Sequence, residues 1–364
     1  MITHGFVLDE FGRPYSKSRL EREKAERASL DQQLKALPKG GRARTELEKQ
    51  LKALKVAEYI EPDTVIQKNG AEMFRLWVAA SEFRSDMGYS QTILDGLSEW
   101  YRKLRNTARF LLGNLKGFSP DLAGRELVTL GIDRYLLARL DEVVVRARKA
   151  YELYELHVVH RLLVELVSVE VSALYSDVAK DRLYSDAVGS PSRLAAQVVL
   201  YECLRAITTL AAPILAFTAE DIWAHMPRRN GDPDSVHLAV FPDLHDASKG
   251  ADVIADFAVL LSWRERVTKA LEPFRAAKHK SVDARITLSP ATSERPIMMK
   301  YAAELADLFI VSDVVLGNGT DGTVEIAEHP GLKCERCWKH FDTLAAEPND
   351  VCERCASALA GRIA

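Results

Sequence analysis

The sequence predicts a mainly α fold: a helix bundle carrying a charged helical hairpin, followed by a small α/β unit and a C-terminal four-cysteine module. Three observations predict it. Apolar residues recur at three- and four-residue steps from about residue 62 to 230. Leucines keep a helical spacing through a charge-dense stretch near the N-terminus. Four of the five cysteines fall in the last 31 residues as two C-x2-C pairs.

Taken in order, residues 1–18 read as a strand (Phe6, Val7, Leu8) and a turn around Asp9–Gly12. Between 19 and 57, Leu20, Leu30, Leu34 and Leu37, then Leu47, Leu51 and Leu54, are separated by Pro38-Lys39-Gly40-Gly41. Two helices joined by a turn form an antiparallel arm, either a solvated insertion or an RNA contact through Arg42, Arg44, Lys49, Lys52 and Lys55.

The bundle follows. Ile93, Leu97, Trp100, Leu104 and Ala108 share one helix face, and Asp133 is placed to cap the helix carrying Tyr135, Leu136, Leu140 and Val144. Val158, Leu162, Leu166 and Val169 continue the period, with His157 and His160 as structural histidines among them. Ser190-Pro191 starts a helix through Leu194, Val198, Tyr201, Leu204 and Ile207, in which Cys203 is a small core residue. Thr218–Asp221 caps a shorter helix ending before Pro227. Residues 231–250 read as a linker. A helix from Trp263 to about Lys278, a strand at Ala284–Leu288, a helix from Met299 to Leu308 and a strand at Phe309–Val311 make the α/β unit. The expected divisions are 1–61, 62–230, 251–325 and 331–364.

The chain has 364 residues, 47% hydrophobic and 28% charged, with a formal net charge of -3. It is no polycation, so a nucleic-acid partner would be held by local basic patches. No apolar run approaches the ~20 residues a membrane helix requires, and the opening MITHGFVLDEFG is no signal peptide. The expectation is a cytoplasmic protein with no membrane partner.

The most specific local signal is Cys334-Glu335-Arg336-Cys337 and Cys352-Glu353-Arg354-Cys355, separated by fourteen residues. Each C-x2-C turn can place two thiolates on one tetrahedral ion, and two such turns close a four-sulfur structural zinc site. Four thiolates leave no open position for water, which argues against a catalytic metal. The module is too short to fold on its own core, so metal binding should supply its folding energy. Lys333, Arg336, Lys339, His340 and Arg354 around it are either phosphate contacts or scattered surface charge.

Four stretches carry a resemblance. His4–Asp9 followed by Gly12-Arg13-Pro14-Tyr15-Ser16-Lys17-Ser18 looks like the strand and loop bearing the KMSKS signature of class I aminoacyl-tRNA synthetases, with Pro14 and Tyr15 where the family has Lys and Met. Tyr101–Leu115 (YRKLRNTARFLLGNL), Phe217–Trp223 and the terminal cysteine module resemble the isoleucyl-tRNA synthetase branch. The resemblance implies an anticodon-binding bundle and an isoleucine-specific tRNA partner, with Arg102, Lys103, Arg105 and Arg109 as candidate RNA contacts. Arginines can reach phosphates and stack on unpaired bases. It gives Lys17, between Ser16 and Ser18, the neutralisation of ATP phosphate charge.

The family's His-x-Gly-His signature is absent from these residues, as are a Walker loop and a dinucleotide fingerprint. The ATP- and isoleucine-binding domain would lie upstream of Met1, so ATP would be a ligand only together with that domain. The strand around Val7 is then expected to lack its sheet and show unpaired edges. The leading expectation is the tRNA-recognition portion of an isoleucine–tRNA ligase, inactive alone and completed by a possible separate catalytic half. The alternatives are a free-standing tRNA-binding or regulatory zinc protein without ligase activity, and a purely structural zinc protein.

Overall fold

The computed structural model describes residues 3–38, 40–57 and 61–361. Lys39, in the predicted interhelical turn, lies outside them, as do the ends of the first and last expected divisions. The chain divides into two compact units, one of Met1–Arg102, Ala150–Arg161 and Ile214–Phe217, the other of Lys103–Lys149, Leu162–Pro213 and Thr218–Ala364.

In the first unit, β1 (Val7–Leu8) is not the orphan strand expected from the sequence. It pairs in parallel with β2 (Met87–Gly88), through Met87 N–H to the Phe6 carbonyl at 2.8 Å and Tyr89 N–H to the Leu8 carbonyl at 2.9 Å. Its other edge receives Tyr15 N–H on the Val7 carbonyl at 2.9 Å and gives Asp9 N–H to Arg13 at 2.8 Å. A two-residue partner strand is too short to show any periodicity, so the sequence pattern hides it.

α1 (Lys17–Ala36) and α2 (Arg42–Ala53) form the predicted charged hairpin. Leu20 is their one buried residue, which leaves most of the arm in solvent. Arg44 donates to the carbonyls of Leu34 at 3.2 Å and Leu37 at 3.1 Å, so it satisfies α1's last acceptors rather than facing a ligand. α3 (Pro62–Asn69) and α4 (Ala71–Ala80) meet at Gly70, whose φ of 87° suits glycine. α4 buries Met73, Leu76 and Trp77, and the Trp77 indole donates to Gly88 at 3.1 Å. α5 (Gln91–Asn114) buries Leu97, Trp100, Leu104 and Ala108, whereas Ile93, expected on the same face, is 42% exposed. His157 pairs with Glu82 at 3.2 Å and His160 lies edge-on to Trp100 at 4.9 Å. Burial, helped by Arg161, pushes the His160 pKa down to about 4.

The second unit holds most of the bundle. α6 (Gly131–Glu152), α7 (Leu156–Glu165), a π-helical segment (Leu166–Tyr175) and α8 (Ser176–Ser185) follow one another along the chain, although Ala150–Arg161 fall in the first unit and α5 from Lys103 on falls in the second. Buried residues here recur every fourth position: Val159, Leu163, Val167, Val171, Tyr175, Ala179 and Leu183, with Leu162, Leu166, Glu170, Leu174, Val178 and Arg182 beside them. In a pure α-helix a four-residue step overshoots one turn by about 40°, and the stripe would spiral off the core. The wider turns of the π segment take up that drift. This is why Val169, placed on the apolar face by an unbroken helical period, is 55% exposed.

Asp133 is not an N-cap. It lies inside the first turn of α6, fully buried, and receives the Arg182 guanidinium at 2.6 and 2.9 Å and the Tyr175 hydroxyl at 2.8 Å. The start of α6 is capped by Glu304, far along the chain, whose carboxylate accepts from Gly131 N–H at 2.8 and 3.0 Å. α9 (Pro191–Ala211) starts as predicted, with the Ser190 hydroxyl accepting from Arg193 N–H. Its length and composition would suffice to cross a membrane, contrary to the expectation that no run is long enough. In the folded chain 83% of that apolar window is buried, so it is a core helix. α10 (Ala216–His225) begins before Thr218, which is an interior helical residue and not a cap.

The predicted linker is a strap. Arg205 grips Asp232 at 2.7 and 2.8 Å, the Trp223 indole donates to Pro233 at 3.0 Å, and Arg148 donates to Pro242 at 3.1 Å. Beyond it come α11 (Ala251–Ala276), β3 (Ala284–Leu288), α12 (Arg295–Lys300), α13 (Leu305–Phe309), β4 (Asp313–Leu316) and β5 (Val324–Glu328), with α11 packed against α12, α13 and β5. The sheet order is β4-β3-β5, with β3 parallel to β4 and antiparallel to β5. The strand expected at Phe309–Val311 is displaced to β4. Phe309 still ends a helix, Ile310 is left-handed at φ 58°, and the strand begins only after that reversal.

Candidate metal centre and nucleic-acid interface

The cysteine module is built from β6 (Leu332–Lys333), β7 (His340–Phe341) and α14 (Glu353–Ala360). Cys334 and Cys337 flank the turn between the paired β6 and β7, and Trp338 closes it at φ 66°. Cys352 and Cys355 stand at the start of α14. The four sulfurs lie within 4.8 Å of one another, with Cys337 and Cys352 at 3.9 Å. A tetrahedron of thiolates about 2.3 Å from a central ion has edges of roughly 3.8 Å. The spacing therefore fits one such ion. Val351, Phe341, Leu344 and Leu359 pack around the sulfurs.

The local backbone is arranged for anionic sulfur. Burial alone would raise the Cys334 thiol, yet backbone N–H groups of Cys337, Cys352 and Arg336 point at it and bring it to about 7. The Cys352 N–H lies 3.3 Å from that sulfur. Burial pushes Cys355 up to about 11 against a hydrogen bond from the Arg336 side chain, and it pushes Cys337 up as well. Crowding several thiols in a shielded site favours a cation that replaces their protons.

The charged residues beside the cluster are not a free phosphate surface. Arg336 donates to the carbonyls of Ser185 and, at 3.3 Å, Tyr184. Arg354 pairs with Asp181 at 2.8 Å and Asp186 at 3.4 Å. Lys339 pairs with Asp307 and, at 3.4 Å, with Asp181. His340 meets Asp283 at 3.2 Å. Of the five residues left open by the sequence, these four have protein partners. Asp181 gave no signal in the sequence, since a lone helical aspartate resembles any solvated one.

Arg102, Lys103, Arg105 and Arg109 are all exposed on α5, while Leu104, Thr107, Ala108 and Leu111 on the other side are buried. At about 100° per residue, Arg102, Arg105 and Arg109 fall within roughly 60° of arc and Lys103 stands apart. Lys17 is the exposed first residue of α1. Ser16 is its N-cap, and the Ser16 and Ser18 hydroxyls are 3.2 Å apart. The preceding loop is tied to the buried Asp9 carboxylate, which accepts from Phe11 N–H, Arg13 N–H and the Arg13 and Arg19 guanidiniums. Lys17, the α5 arginines and the cysteines belong to separate elements.

Comparison with known proteins finds two family matches and a set of similar ligases. The family described as the anticodon-binding domain of tRNA ligase matches residues 133–289, and the zinc finger found in FPG and IleRS matches residues 331–358. The isoleucine–tRNA ligase of Syntrophotalea carbinolica is 38% identical over 381 residues, which takes in 100% of this chain. The chain matches the C-terminal part of isoleucine–tRNA ligases. The isoleucine–tRNA ligases of Geobacter sulfurreducens and Thermotoga petrophila are 35% and 36% identical over 99% of the chain. The chain spans about 37% of the Syntrophotalea ligase and 36% of the Geobacter one.

Proposed function

We propose that this chain is the tRNA-recognition portion of an isoleucine–tRNA ligase, acting in the cytoplasm. In this reading the bundle at 62–230 engages the anticodon end of isoleucine tRNA, the 251–325 unit and the 331–364 module support it, and 1–61 carries a KMSKS-like loop and the charged arm. The observation that carries it is identity of 38% to an isoleucine–tRNA ligase across the whole chain. Arg102, Lys103, Arg105 and Arg109 are the proposed RNA contacts. Cys334, Cys337, Cys352 and Cys355 are the proposed ligands of one structural zinc ion, which would fix the two knuckles and complete the module's core.

Ser16, Lys17 and Ser18 would serve ATP-dependent isoleucine activation only beside a nucleotide-binding domain. Lys17, exposed at a helix N-terminus, has the charge and position to meet a phosphate there. The chain alone is proposed to bind tRNA without activating isoleucine.

The test is binding of purified chain to isoleucine tRNA and to a non-cognate tRNA at low and moderate salt. Preference for the cognate, weakening with salt, is expected from phosphate contacts. Binding of neither, or isoleucine-dependent ATP–pyrophosphate exchange by the chain alone, would overturn the reading.

A further inference from the structure

The four-cysteine module is held against α8 by side chains that also belong to the metal site. Arg336, between Cys334 and Cys337, donates to the Ser185 and Tyr184 carbonyls at the end of α8. Arg336 thus sits in sequence between two cluster cysteines while its guanidinium is bonded to the bundle. Arg354, between Cys352 and Cys355, reaches Asp181 on α8 at 2.8 Å and Asp186 just beyond it at 3.4 Å. Lys339, one turn past the first knuckle, closes on Asp181 from a second direction at 3.4 Å. Each C-x2-C turn thus contributes one arginine outward to α8 while its cysteines point inward to the cluster. The target is specific: Ser185 and Asp186 are buried, and they lead through a short turn to Ser190, the cap of the core helix α9.

The arginines cannot keep these bonds if the knuckles open. Their side chains are positioned by backbone that only the closed sulfur set holds in place. Last-turn carbonyls have no helical partner, so losing Arg336 leaves them to water. Losing Arg354 and Lys339 leaves Asp181 half-buried without its counterions.

We infer that Arg336 and Arg354 are positioning residues that couple metal occupancy of the cysteine cluster to the order of the Asp181–Ser190 segment, with the Tyr184 and Ser185 carbonyls receiving Arg336 and Asp181 receiving Arg354. The inference rests on the reading of the cluster as a metal site. Metal binding orders the end of α8, and by reciprocity an intact α8 end tightens metal binding, a difference expected mostly in the rate of metal loss. Groups that orient metal ligands from the outer shell change metal affinity by roughly 10–100-fold when removed.

The experiment uses the full chain loaded with zinc. Metal content is measured first; absence of about one bound zinc in the wild type would fail the metal-site reading itself. Zinc release to a chromogenic chelator is then timed for wild type, Asp181→Asn and Arg336→Gln, and amide exchange over 181–190 is followed with and without zinc. Asp181→Asn touches no cysteine and is close to isosteric. It is expected to retain one zinc and release it about tenfold faster. Zinc removal from the wild type is expected to raise exchange at 181–190. Arg336→Gln and Asp181→Asn combined should speed release by less than the product of their separate effects, as coupled residues do. Release from Asp181→Asn at the wild-type rate, or unchanged exchange at 181–190 on zinc removal, would overturn the coupling. Should Asp181→Asn not fold, Lys339→Met reads the same contact from the module side.

Discussion

The Glu304 carboxylate sits on the first amide of α6, accepting from Gly131 N–H at 2.8 and 3.0 Å across 173 residues of sequence. A helix N-terminus leaves unsatisfied N–H groups and a partial positive charge, and a carboxylate answers both. Gly131 is needed because a Cβ there would lie 2.3 Å from the Tyr301 ring and 3.2 Å from Phe257. Glu304→Ala is expected to cost about 1 kcal/mol, as for loss of a cap. Gly131→Ala should cost about 1–3 kcal/mol through overpacking. Urea midpoints of the two variants check both; a neutral Gly131→Ala would contradict the close approach.

Removing Arg182 should be among the most damaging single changes. It leaves Asp133 as a buried charge whose remaining bond comes from Tyr175. Arg182→Met is expected to destabilise by about 3–5 kcal/mol, read from chemical denaturation. Tyr175→Phe removes one hydrogen bond and should cost about 1–3 kcal/mol.

The strap answers to pH. Burial alone would raise the Asp232 carboxyl, but hydrogen bonds from Arg205 and the Arg229 backbone outweigh it and hold it below the ordinary 3.8. A depressed carboxylate contributes stability that is present above the unfolded value and lost as pH falls through the lower folded one. The Trp223 indole, bound to Pro233 and flanked by Arg205 and Arg228, should therefore exchange faster once pH drops below about 3.8. Asp232→Asn should show that loosening already at neutral pH, and protection of the indole proton by NMR decides it.

Cys352→Ser should abolish stoichiometric zinc binding, because a closed four-thiolate site has no spare ligand. Metal analysis of the purified variant is the check. The helical content of the bundle should largely survive, since its core residues, such as Trp223, Tyr201 and Leu204, lie apart from the module's cluster.

Arg102→Ala and Arg109→Ala should each weaken tRNA binding regardless of the bases present. Each should also lower the salt slope by about one, the mark of a phosphate contact. An unchanged slope with lost cognate preference would instead mark base stacking.

The sequence by itself determined the helical bundle, the charged hairpin and the four-cysteine set, because each rests on local spacing: a helical period, a Pro-Gly break, and two identical turns. The start of α9 was legible for the same reason, as Ser190 and Pro191 act on their own helix. Tertiary structure alone decided which charges are spoken for. Asp133 looks like a cap until Arg182 and Tyr175 arrive from other segments, and Arg336 and Arg354 look like surface charge until α8 meets them. It also decided where the apolar face runs through Leu166–Tyr175, because widened turns, not composition, keep a four-residue stripe on the core. Burial, charge pairing and helix widening are settled by what lies opposite in space, and a linear pattern does not carry that information.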